Sequence, residues 1–72
     1  MKYFLNNKLV RTSHNNYEYA ITFKEKLLSC CGDYEKAKKR YQVIYNYYIK
    51  YYGWPLEEVK KYLKIEKLTK GE

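Results

Sequence analysis

The chain predicts an α+β fold: a small antiparallel sheet, built from an N-terminal hairpin and meander, packed by one long tyrosine-rich helix, then a short helix and a C-terminal edge strand. Three observations predict it. Polar turn clusters cut the first thirty residues into short apolar-aromatic runs, residues 17–24 alternate in period two, and residues 33–53 carry apolar side chains at spacings of three and four.

Lys2 opens a short apolar run that ends at Asn6-Asn7, residues that tolerate positive φ, and the chain resumes with Leu9 and Val10. This predicts a tight hairpin. Ser13-His14-Asn15-Asn16 is a second cluster of turn formers. Tyr17, Tyr19, Ile21 and Phe23 then alternate with Glu18, Ala20, Thr22 and Lys24, the clearest strand in the chain. Lys24-Glu25-Lys26 reads as a charged break. Residues 27–31 before Gly32 fit either a third long strand or one helical turn; the strand is preferred because it completes a meander whose apolar face a helix can cover.

Asp33 sits where its carboxylate can accept from the unpaired amides of a helix start, with Glu35 in the first turn. Lys50, Gly53 and Pro55 mark the stop. Between them Tyr34, Ala37, Tyr41, Ile44, Tyr48 and Tyr51 form one stripe, read as the buried face, with Tyr45 and Tyr52 widening it. On the other border Arg40 and Tyr47 adjoin a strip of Lys36, Lys39, Val43 and Lys50. Each phenol brings a large apolar area and a hydroxyl that must reach water or a partner, so this helix is expected to be incompletely buried. Its rings either lie over a sheet with hydroxyls at the rim or form a binding surface.

Gly53-Trp54-Pro55 predicts a corner, with Pro55 at the first position of a short helix that has Glu57 and Glu58 at its start and Lys60 and Lys61 at its end. Leu56, Val59, Tyr62 and Leu63 give its apolar face. Residues 63–69 run on as helix or switch to an edge strand, and the strand is preferred. Residues 1–72 are expected to form a single domain.

A 72-residue chain buries only about 60% of the surface its unfolded form exposes, which disfavours a deep catalytic pocket. Candidate catalytic groups are sparse: His14 is the one histidine, and the adjacent Ser13 side chain should point away from it. No glycine-rich phosphate loop, paired carboxylate or histidine cluster occurs, so an enzyme is not expected, nor a cofactor or metal. Adjacent Cys30 and Cys31 suit neither a stapling disulfide nor a zinc site; the alternatives are a vicinal disulfide, a reactive thiolate near the long helix, or a buried sulfur acting as a small hydrophobe. No apolar run reaches the roughly 20 residues of a membrane span and no signal-peptide core follows the start, so a cytoplasmic protein is expected.

Fifteen Lys and Arg against eight Asp and Glu give a net charge of +7, which biases association toward phosphate-bearing or acidic partners. Thirteen of the fifteen cations are lysines, the less selective phosphate binder of the two. Lys36, Lys39, Arg40 and Lys50, with Tyr47 beside them, could hold phosphates while an exposed ring stacks on a base, or could serve as a protein-binding hot spot. Trp54 is either a lid on the core or an anchor for the same partner.

The run from Lys8 to Ser13, a polar turn, Tyr19-Ala20-Ile21, then Leu28-Ser29-Cys30 before a helix resembles the opening of small accessory proteins of bacteriophages and mobile elements, some of them anti-CRISPR inhibitors. The resemblance implies a stoichiometric inhibitor or modulator of a host nucleoprotein complex, and it carries no site motif. The basic charge argues against mimicry of duplex DNA and fits contact with an acidic protein surface or RNA. The alternative expectation is a regulatory protein that binds DNA or RNA directly. A homodimer is compatible with both.

Overall fold

The computed structural model describes residues 1–71 and contains β1 (Lys2–Leu5), β2 (Lys8–Thr12), β3 (Tyr19–Phe23), β4 (Lys26–Cys31), α1 (Tyr34–Lys50), α2 (Leu56–Tyr62), β5 (Leu63–Lys67) and β6 (Thr69–Gly71). The α+β class and the long helix are as the sequence predicts. The single meander is corrected: the strands form two three-stranded antiparallel sheets, in the orders β2-β1-β6 and β4-β3-β5.

The reason lies in β3, whose two faces are both covered. Ile21 and Phe23 join a core with Ala37 of α1, Val59 of α2 and Leu63 of β5, while Ala20 joins a second core with Tyr3, Leu5 and Leu68. The layers are therefore hairpin sheet, central sheet, helices. Thr22 is buried on the hairpin side, and its hydroxyl donates to the Glu66 carboxylate at 2.8 Å, so burial leaves it paired.

Both hairpins turn on pairs of residues with positive φ. Asn6 and Asn7, at 51° and 66°, suit that conformation. Lys24 and Glu25, at 51° and 68°, do not, and the charged break is in fact a tight turn held by pairing on both sides of it. Part of the cost is offset where the Lys24 ammonium sits over the rings of Trp54 and Tyr62, at 4.8 and 5.0 Å from their centres.

Asp33 caps α1 by accepting from the Lys36 N–H at 2.8 Å. The helix ends at Lys50, and the Trp54 N–H donates to the Tyr48 carbonyl at 3.1 Å across Gly53, whose φ of +73° lets the chain reverse. Pro55 stands one place earlier than expected, as the N-cap of α2. Leu63 follows Tyr62 without a loop and starts β5, which pairs with β3 as the edge strand the sequence favours. Of the apolar face predicted for α2, Val59 and Leu63 are buried, Tyr62 is half-buried and Leu56 is exposed.

The buried stripe of α1 is shorter than predicted. Ala37 is buried, and Tyr41, Ile44, Tyr45, Tyr48 and Ile49 are half-buried against the core, but Tyr34, Tyr51 and Tyr52 are exposed. Length accounts for this: seventeen helical residues rise about 25 Å, whereas five strand residues span about 17 Å, so the helix outruns the sheet at its ends, where Tyr34 begins it and Tyr51 and Tyr52 follow it.

A basic-aromatic groove beside β4

One side of the central sheet ends at β4, whose outer edge pairs with no strand among the described residues. Alternation along β4 sends Cys31 into the helix-side core and Cys30 toward the hairpin sheet. An extra residue, Leu28, is accommodated where the register shifts between Ile21 and Thr22, and it turns Leu28 and Ser29 toward α1. Between this edge and α1 lie two adjoining hollows of about 540 and 320 Å³.

The larger hollow is lined by Cys30, Cys31 and Gly32 on the strand side, by Tyr17 from the connection before β3, and by Lys36, Lys39, Arg40 and Val43 on the helix. The smaller continues from Arg40 and Val43 to Ile44, Tyr47, Tyr48 and Tyr52, opposite Leu28 and Ser29. The order of these linings shows α1 running antiparallel to β4, with the helix's cations at one end of the groove and its phenols at the other. Spacings of three and four link Lys36 to Lys39 and Arg40, both of these to Val43, and Val43 to Tyr47, which puts the five on one helical stripe.

Four of the six residues predicted as a site are thus brought together: Lys36, Lys39, Arg40 and Tyr47. Lys50 is exposed one turn beyond Tyr47 and lines neither hollow. Trp54 belongs elsewhere, which corrects its place in the patch: it packs edge-on against Phe23 at 5.3 Å, under Lys24, as a half-buried lid of the core.

Sequence reasoning missed the aromatic end of the groove because it placed Tyr51 and Tyr52 in the buried stripe. They are 72% and 57% exposed. Tyr47 and Tyr51 stack with centres 4.7 Å apart and planes 16° from parallel, and Tyr52 meets Tyr47, Tyr48 and Tyr51 edge-on within 5.4 Å. The clue was available: Gly53 ends the helical hydrogen bonding, and phenols in a final turn beyond the sheet have nothing beneath them. Mutual repulsion within the cluster, chiefly from Tyr47, raises the Tyr52 pKa above the ordinary phenol value.

Electrostatically the groove is open to an anion. The described ion pairs are Lys38 with Glu35 at 3.0 Å and Lys70 with Glu18 at 2.6 Å, so Lys36, Lys39 and Arg40 are committed to no carboxylate. Cys30 carries no activated thiolate. Burial raises its pKa above the ordinary thiol value, outweighing the Arg11 charge and hydrogen bond that lower it. Both cysteines are free, and the Ser13 hydroxyl is engaged by the Asn15 N–H at 3.1 Å. Among the described residues no group of three or more His, Cys, Asp or Glu is placed to hold a metal, and no helix is long and apolar enough to cross a membrane.

Compared with known proteins, the chain matches no family model, no curated protein and no solved structure.

Proposed function

We propose that this chain is a non-enzymatic binding protein that docks stoichiometrically, through the β4–α1 groove, on a larger host nucleoprotein complex and modulates it. The observation that carries the reading is the convergence of three cations and a row of phenols on one groove beside the outer edge of β4, with no carboxylate partner for the cations and no paired strand on that edge among the described residues. Tyrosine and arginine concentrate binding energy at interfaces because they bring large contact areas and directed donors at modest entropy cost. The resemblance of the N-terminal half to phage accessory proteins supports the choice of a host complex as partner.

The test is co-purification from a bacterial lysate, comparing the native chain with a Lys36→Glu, Lys39→Glu, Arg40→Glu variant. All three side chains lie on an exposed helical face, so the variant should fold. A nucleoprotein recovered by the native chain at near one-to-one ratio and lost from the variant is the expected result. Recovery of nothing above background, or equal recovery by both chains, would refute the proposal.

The exposed Tyr47–Tyr51 stack favours a second reading, direct binding of single-stranded RNA or DNA with bases on the rings and phosphates on the cations. Three neutralised phosphates give a log–log salt slope of about −2, and Arg40→Ala should flatten it by about 0.7. Salt-independent or undetectable oligonucleotide binding would remove this reading.

A further inference from the structure

Within the docking reading, on which it rests, we infer that the groove receives an extended acidic segment of a partner protein, added to the central sheet as a fourth strand along β4. The free edge offers backbone donors and acceptors beside a helix-lined trough, the arrangement in which main-chain pairing supplies affinity and alternate side chains supply selectivity. A nucleic-acid strand would use the cations but leave these backbone groups without partners.

The spacing favours carboxylates at every second residue of the incoming strand. Lys36 and Arg40 are four residues apart, about 6 Å along α1, and residues i and i+2 of an extended chain are about 6.7 Å apart on one face. A Glu-x-Glu pattern running along the groove therefore meets both cations. The intervening side chains point to the opposite face. The bulge at Leu28 limits regular pairing to residues 29–31, with the phenols of Tyr47 and Tyr48 closing the end of the trough.

The same features disfavour a second copy as occupant. Antiparallel β4–β4 pairing about a two-fold axis sets the two helices side by side on one face of a joined sheet, with Lys36, Lys39 and Arg40 of each copy confronting those of the other. Like charges brought together oppose that contact. An acidic strand reverses the sign of this interaction.

The probe is an eight-residue peptide alternating Glu and Val, with two derivatives N-methylated on every second amide, one set on each edge. Methylation removes donors from one edge and leaves charge and side chains intact. The proposal expects saturable binding by the parent, at least tenfold weakening by one methylated set, less than twofold change by the other, and slowed exchange of the Cys30 amide, the one of residues 29–31 that faces the open edge. Arg40→Glu should weaken the parent at least tenfold.

Binding of all three peptides with equal affinity would overturn strand addition while leaving stoichiometric docking standing. Failure of the peptide together with Arg40-dependent binding of a uridine oligonucleotide would overturn it in favour of nucleic acid. Dimerisation by sedimentation that protects the Cys30 amide without any peptide would overturn it in favour of self-pairing.

Discussion

Replacing Tyr3 by Phe should reveal how the hairpin sheet is fastened to the rest of the protein. The Tyr3 side chain is fully buried, yet its hydroxyl donates to the Asn15 carbonyl and accepts from the Tyr17 N–H at 2.9 Å, clamping the 13–18 connection onto β1. Phenylalanine keeps the ring and its edge-on contact with Tyr17 at 5.5 Å, so the change isolates the oxygen. Asn15 is exposed and its carbonyl can take water instead. Tyr17 is half-buried, and its stranded N–H should account for most of a loss of about 1–2 kcal/mol. A domain of this size has a total stability of roughly 4–11 kcal/mol, so the loss is a substantial fraction. It corresponds to a fall of about 5–15 °C in Tm. Equilibrium urea unfolding should show a lower midpoint at unchanged slope, with faster exchange of the Tyr17 amide. A destabilisation below about 0.5 kcal/mol, or unchanged Tyr17 exchange, would refute the clamp.

Thr22→Val should cost about 1 kcal/mol in the same assay, because the buried hydroxyl loses its bond to Glu66 while the carboxylate rehydrates. Glu25→Gly should stabilise by about 0.5–1 kcal/mol, since glycine adopts the φ of 68° without the Cβ clash. Gly53→Ala should act in the opposite direction, by about 1 kcal/mol, although nothing lies within 4 Å of the added carbon; the cost is the φ of +73° alone. Glu18 supplies a pH signature: the hydrogen bond from Lys70, then its charge, hold the Glu18 pKa below the ordinary 4.5. That contribution is present above about pH 4.5 and is lost as pH falls through the lower folded-state value, so Lys70→Met should flatten the acid limb of a stability–pH curve.

What the sequence made legible was local. Asn6-Asn7, Asp33 and Gly53 each announce a backbone conformation that their own chemistry favours, and the turns and caps fall where expected. The Lys24-Glu25 turn was not legible, because neither residue prefers positive φ and the conformation is imposed by β3 pairing with strands on both sides. The second sheet was hidden for a related reason. Glu18, Ala20, Thr22 and Lys24 read as a polar face, yet Ala20 and Thr22 are small enough to be covered, and the cover over Ala20 comes from distant parts of the chain, Tyr3 and Leu5 of β1 with Leu68. Lys36, Lys39, Arg40 and Tyr47 could be grouped from helical spacing alone. Their neighbour across the groove could not, since which edge of β4 stays open depends on pairing far along the chain.

The pairing of Lys2 with Gly71 brings the two extremities of the described chain to adjacent positions, about 5 Å apart between α-carbons. A short glycine linker could therefore splice them, and the covalent path could be reopened at the exposed Gly53 bend without parting any two neighbouring strands. Such a circular permutant would hang α1 from a free terminus while its lateral contacts stayed intact. Fusion partners attached beside residues 2 and 71 would sit on the hairpin layer, across the molecule from the helix.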